Sequence, residues 1–387
     1  MYDAGSLTME VLLKNQLRQI ALASLLAAIA SGAQAQAIIQ NSEVQLGVGE
    51  FGALNVGGGT PATGSGTTTV GLRSVRTNSD STSPGCECEG WGVGIRSTGQ
   101  FGQSNNSSGG VQNLSLVSFA STASTAVSVV EMLTASGAPA GLRITHDYHP
   151  IAGTPYLYEV LVSITNNTGA ALVAGDLVYR RVMDWDIPSP GGETVTIQGV
   201  PGPTGLGIAN GSNLYRSDNN GFLDGNPFSS FDSYGCQNVN FTNLRGGDAC
   251  AGSASSGVSR SSDQGALFDF EFEALANGAT RTFATYYGVA PDKAAADLAR
   301  SLVDGDSTDV EIGLYSYGSC FTGLSIGTAS CDPILGTPDT FIFGFGAAGG
   351  ILVPPPPPTG VPEPTSLALA GLALAGLGLS RRRKTVA

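Results

Sequence analysis

The sequence predicts an all-β protein built as an antiparallel β-sandwich. Composition is the first observation behind this: 55 glycines and only 13% charged residues fit an exported β protein better than a helical cytosolic one. The second is a series of six or more short runs rich in Val, Ile, Thr, Tyr and Phe, separated by Gly/Asn turn residues. The third is that only one stretch of the central region, near residues 291–302, has helical character.

In chain order, Lys14 and Arg18 precede an apolar run, Ile20 to Ala30, followed by Ser-Gly-Ala-Gln-Ala-Gln-Ala. A charged start, a helical apolar core too short to span a bilayer and small residues at its end make residues 1–35 a secretory signal peptide. Cleavage is expected before Gln36, with Ala35-Gln36-Ala37 as the alternative site and Met9 as an alternative start. Residues 36–350 then form the exported region, roughly 300 residues, enough for one large domain or two subdomains.

That region opens with a Gly/Thr/Ser-rich stretch whose short apolar runs, Val44-Leu46-Val48 and Val70-Leu72, predict weak or edge strands. Stronger strands follow over Leu114–Phe119, Ala126–Leu133, Leu142–Tyr148 and Tyr156–Thr165, the last apolar on both faces and ending at the turn Asn166-Asn167-Thr168-Gly169. Asp176–Ile187 is the next. A polar excursion, Asn210–Asp263, separates it from Ala266–Phe272, and a turn at Ala276-Asn277-Gly278 leads to Arg281–Val289. Pro291–Leu302 is alanine-rich, starts at a proline and spaces Ala294, Leu298 and Leu302 at four, which predicts a helix with that stripe as its apolar face. Thr340–Phe345 is the last predicted strand, and residues 351–360 form a Pro-rich linker. The segment Tyr156–Trp185 resembles strand pairs of immunoglobulin-like bacterial surface domains and stretches of mutarotase-type supersandwiches, so a supersandwich-like enlargement is the alternative architecture.

Six cysteines in an exported chain predict three disulfides, and six allow fifteen pairings. Spacing favours Cys236–Cys250 and Cys320–Cys331, each closing a polar loop. A bridge between the remaining Cys86 and Cys88 spans one residue and is strained; a structural role is the expectation and a redox-active one the alternative. Paired C-x2-C spacings for a four-cysteine metal centre are absent. In a strand, His146 shares a face with Tyr148, and His149 falls on the other face with Asp147, so the only two histidines do not converge on one ion. No metal site is expected. The oxygen-rich loops Asp218–Asn226 and Asp304–Glu311 raise calcium as the one candidate cofactor, but neither has EF-hand spacing and turn chemistry accounts for both.

In the strand Asp176–Ile187, period two places Leu177, Tyr179, Met183, Trp185 and Ile187 on a core face that only Arg181 interrupts. Arg180, Asp184 and Asp186 line the opposite face as a candidate ligand face. The two carboxylates are roughly 6.5–7 Å apart at their backbones, and Arg180 is about 13 Å from Asp184, too far to pair within the strand. A neighbouring strand has to supply a cation, or the pair meets solvent or a ligand. That spacing is open to glycosidase chemistry, but neighbours on one strand do not grip a sugar from opposite sides. No catalytic residue is assigned.

Net charge is −13; setting aside Lys14, Arg18, Asp3, Glu10, Glu363 and the four basic tail residues leaves 12 basic against 28 acidic residues, about −16. Such a surface does not bind nucleic acid. The last 27 residues join Val361-Pro362-Glu363-Pro364, an uncharged run from Thr365 to Leu379 and the cluster Arg381-Arg382-Arg383-Lys384. As a helix the run is about 22 Å long, short of a roughly 30 Å hydrocarbon core, and the cations after it stop translocation: a transient inner-membrane anchor. This tripartite tail, residues 361–387, resembles the PEP-CTERM sorting signal of Gram-negative bacteria. The resemblance implies processing by an exosortase-type membrane protease and release to the cell surface or extracellular matrix, with extracellular polysaccharide as a candidate partner. A non-enzymatic surface protein is the expected function, and a carbohydrate-active enzyme using paired carboxylates is the alternative.

Overall fold

The computed structural model describes residues 35–188, 193–200, 205–229, 257–262, 264–303, 312–320, 325–326, 329–332 and 334–346. The signal peptide, the proline linker and the sorting tail lie outside them, as do Cys236, Cys250 and the loop Asp304–Glu311. The all-β expectation holds, with about 50% strand and 5% helix.

Strands β1 (Gln36–Gln40), β2 (Val44–Gly49) and β3 (Leu72–Ser74) form a small antiparallel sheet. Next come β4 (Glu89–Ile95), β5 (Gln100–Asn105), β6 (Gly110–Gln112), β7 (Leu114–Ser121), β8 (Ala126–Leu133), β9 (Pro139–Pro150) and β10 (Leu157–Asn166). The chain continues through β11 (Leu177–Asp184), β12 (Glu193–Gln198), β13 (Leu214–Asp218), β14 (Gly257–Ser262), β15 (Gly265–Glu271) and β16 (Thr280–Ala290). Helix α1 (Lys293–Ser301) precedes β17 (Leu314–Cys320), the short pair β18 (Ser325–Ile326) and β19 (Ala329–Ser330), and β20 (Thr340–Phe345). Two large antiparallel sheets result: nine strands in the order β14-β12-β17-β20-β16-β10-β9-β8-β7, and six in the order β13-β15-β11-β4-β5-β6.

Their inner faces meet in an aromatic core. Phe268 of β15 lies 5.0 Å from Phe345 of β20, and Tyr179 of β11 lies 5.0 Å edge-on from Phe283 of β16, separations at which aromatic pairs attract beyond area burial. On β11 the inner face is Leu177, Tyr179, Arg181 and Met183, continued by Trp185 and Ile187, all buried. Trp185 lies against Gly318 of β17, where a Cβ would come within 2.6 Å of the indole, and its Nε1 donates to Ser316 Oγ (2.9 Å).

β4, in the middle of the six-stranded sheet, alternates Gly90, Gly92 and Gly94 with inward Trp91, Val93 and Ile95. The missing side chains let a turn-rich segment, residues 219–229, lie on the sheet's outer face: a Cβ on Gly92 would meet Gly225 O at 1.8 Å, and one on Gly94 the Phe228 ring at 2.5 Å. Asp218, Asn220, Asp224 and Asn226 each accept from the backbone N–H two residues on, at 2.7–3.2 Å, so these side-chain oxygens shape the turns.

Helix α1 is capped by Asp292, which accepts from Ala295 N (2.8 Å). Its buried residues are Ala296, Ala299 and Arg300, whereas Ala294, Leu298 and Leu302 face solvent. The predicted apolar stripe is thus the wrong face. Small Ala296 and Ala299 let the helix sit close on the nine-stranded sheet, and Arg300 is held by Tyr317 Oη (2.5 Å), Ile312 O (2.6 Å) and Asp297 (3.0 Å).

Candidate functional site

Arg180 points from β11 to the outer face and meets Asp269, its register partner on β15. Nε–Oδ1 is 2.8 Å and Nη2–Oδ2 3.1 Å, a forked pair that Arg216 of β13 joins from the other side. The remaining Arg180 nitrogen donates to Asp224 O (3.1 Å) and Ser229 Oγ (2.9 Å), which ties the 219–229 segment to the sheet. Arg180 and Asp269 are both fully buried.

Asp184, at the end of β11, is also fully buried, and Gly221 closes over it: a Cβ there would stand 2.5 Å from Asp184 Cα. Asp186 is half-buried; its Oδ2 accepts from Cys86 N (3.2 Å) and its own N–H donates to Ser81 O (2.7 Å). Arg180, Asp184 and Asp186 therefore do not form one open face. The cation is consumed by Asp269, and the two aspartates turn instead to the Cys86 segment, nearly a hundred residues earlier.

Within that group, the ligand-type atoms of Cys86, Asp184 and Asp186 lie within 4.8 Å of one another, with Cys86 Sγ 3.4 Å from Asp184 Oδ2. Cys86 is bridged to Cys88 (Cα–Cα 5.1 Å), so its sulfur is a disulfide sulfur and not a thiolate ligand. A second disulfide joins Cys320 and Cys331. Between the first pair, Glu87 adopts φ +54°, the left-handed region. Asn55 Nδ2 donates to its carbonyl (3.0 Å) and Asn106 Nδ2 to its Oε2 (3.0 Å).

A second polar cluster fills the core between the sheets. Arg181 pairs with Glu89 of β4 (2.7 Å) and donates to Tyr287 Oη (2.6 Å) of β16 and Tyr148 Oη (3.2 Å) of β9. Tyr287 donates to Glu89 Oε1 (2.5 Å), and Glu89 Oε2 accepts from Leu54 N (2.5 Å). Tyr148 donates to Gly52 O (2.9 Å). Burial pushes the Tyr148 hydroxyl up to about 12, which keeps it a donor. The cluster joins both sheets to the segment after β2. The sequence had shown Arg181 only as an interruption; the matching signal was Glu89, in period two with Trp91, Val93 and Ile95.

The histidines separate as the strand period requires. His146 is buried against Trp91 (centroids 4.4 Å) with Nε2 3.1 Å from Tyr179 Oη, and burial, then Arg181, hold it well below its ordinary pKa. His149 is partly exposed; its hydrogen bond to Glu159 Oε2 (2.7 Å) raises its pKa, with Asp147 adding to the effect. A raised folded-state value means the pair's stabilisation is complete below the unfolded value near 6.5 and is lost as pH rises through the folded one. His149 should titrate above His146 by NMR, and Glu159→Gln should bring it back toward 6.5. An unshifted His149 midpoint in that variant would remove Glu159 as the cause.

Residues 360–384 match the PEP-CTERM protein-sorting motif. They include Val361, Pro362, Glu363, Pro364, Arg381, Arg382 and Arg383. No curated protein matches the chain. The motif makes this an exosortase-targeted, exported protein, sorted at the membrane toward the cell surface, with the exosortase protease as its processing partner. Among the described residues no helix is long and apolar enough to cross a membrane; Thr365–Leu379 lies outside them.

Proposed function

We propose that the processed protein is a non-enzymatic component of the cell surface or extracellular matrix that holds extracellular polysaccharide, after transient anchoring by its tail in the inner membrane. The sorting motif at 360–384 carries this reading, because it addresses the whole chain to the compartment where such polymers lie. The ion pairs of the sandwich support it: Glu89 and Asp269 are buried and spent on arginines inside the fold. A surface suited to a neutral sugar is the groove of about 420 Å³ beside the start of β1 and the end of β7, lined by Gln36, Ala37, Ile38, Gly57, Ser121 and Thr122. Its size is that of a small-molecule site, and the Gln36 amide with the Ser121 and Thr122 hydroxyls offers hydrogen bonds to sugar hydroxyls.

The test is a glycan array on protein recovered after processing, with a hydrolysis screen of the same sugars. Binding to at least one neutral polymer is expected, weakened about tenfold by Gln36→Ala with Ser121→Ala, at roughly 1 kcal/mol or less per hydrogen bond. Turnover without retained binding would replace this reading by the carbohydrate-active enzyme.

A further inference from the structure

The Cys86–Cys88 bridge combines several features that a purely structural disulfide does not need. Its two sulfurs differ in access: Cys88 is 3% exposed, whereas Cys86 is only half-buried and follows exposed Gly85. The residue between them, Glu87, is held at φ +54°, a conformation that glycine adopts freely and that a residue with a Cβ rarely does. The surrounding scaffold does not depend on the bridge. Asn55 and Asn106 hold Glu87, Asp186 Oδ2 holds the Cys86 N–H, and Cys88 O accepts from Asp184 N (2.9 Å). An opened pair would therefore stay in place. Ser108 Oγ stands 3.4 Å from Cys88 Sγ, where a hydroxyl turned away from Phe222 O can donate to a departing thiolate.

We propose that Cys86–Cys88 is a thiol–disulfide exchange site, attacked at Cys86, that oxidises dithiols lacking negative charge near the sulfur. A substrate thiolate attacks Cys86 Sγ; the new S–S bond forms as the Cys86–Cys88 bond breaks, and Cys88 leaves as a thiolate that takes up a proton. The second thiol of the substrate, deprotonated, then attacks its own sulfur in the mixed disulfide and displaces Cys86 as a thiolate, which is protonated in turn. One substrate dithiol becomes a disulfide, and one Cys86–Cys88 bridge becomes two thiols. The carboxyl groups of Asp184 and Asp186 beside Cys86 set the selectivity, because an anionic thiol meets like charge there.

The purified protein is equilibrated across a series of reduced-to-oxidised dithiothreitol ratios, trapped with an alkylating agent and peptide-mapped. Cys86 and Cys88 should be alkylated at a ratio at least tenfold less reducing than opens Cys320–Cys331, with the far-UV circular dichroism unchanged. Opening of both bridges together, or only on unfolding, overturns the proposal. In stopped-time trapping of the wild type at low salt, with rates expressed per thiolate, cysteamine should open the bridge several-fold faster than mercaptoacetate, and the reverse order overturns the assigned selectivity.

Discussion

Replacing Glu89 by glutamine should destabilise the folded protein by about 3–5 kcal/mol, because it leaves Arg181 fully buried without its anion. For a domain of this size the loss corresponds to a fall in melting temperature of roughly 10 °C. The penalty is one of desolvation: in water Arg181 is solvated, whereas in the core its partners would be a neutral amide and the hydroxyls of Tyr287 and Tyr148. Arg181→Met alone should cost a similar amount, since it strands Glu89. The double variant Glu89→Gln with Arg181→Met should lose clearly less than the sum, because two neutral groups replace two buried ions. It should not recover fully, because a glutamine has one acceptor oxygen where Glu89 gives one each to Leu54 N and Tyr287 Oη. Thermal unfolding followed by circular dichroism decides this. A Glu89→Gln protein melting with the wild type would show that the pair contributes nothing, and strictly additive losses would show that the two charges do not act as a unit.

How much of this was legible in the sequence follows from the range of the forces involved. β8 and β20 stand where apolar alternation or an aromatic run marks them, since one strand's side chains are enough to reveal its buried face. β4 was missed although it is central. Its alternate positions are glycines, which carry no hydropathy signal, and the reason for them is a loop more than a hundred residues later in the chain. The helix was legible through Pro291 and its alanines, but the contact face was not: close approach selected Ala296 and Ala299 over the larger Leu298 and Leu302. The candidate face on β11 failed for the same reason. Period two gave the direction in which Arg180 points, but not Asp269 waiting on β15, nor Gly221 folded over Asp184. The Cys86 neighbourhood combines residues from both ends of a long gap, and only the closed sheet brings them together.

Asp269→Asn should be the most damaging single change on the outer face of the six-stranded sheet, and more damaging than loss of either arginine. Asp269 lies between Arg180 and Arg216, so its neutralisation strands two cations, one fully buried and the other 7% exposed. Arg180→Met removes one cation and leaves Asp269 still paired with Arg216. On the cost of stranding a buried charge, Asp269→Asn should lose about 3–5 kcal/mol and Arg180→Met distinctly less. A structural consequence should separate this from a general loss of stability. Arg180 also donates to Asp224 O and Ser229 Oγ, and Gly225 and Phe228 rest on the glycines of β4, so the arginine's orientation holds the 219–229 segment down. When Asp269 no longer forks the guanidinium, that segment should open while the sheets stay folded. Limited proteolysis under native conditions should then cut Asp269→Asn within residues 219–229 before any cut in the strands, at a protease dose that leaves the wild type intact. Equal destabilisation of Arg180→Met and Asp269→Asn in denaturation would mean that Asp269 serves Arg180 alone and that Arg216 adds nothing to the pair.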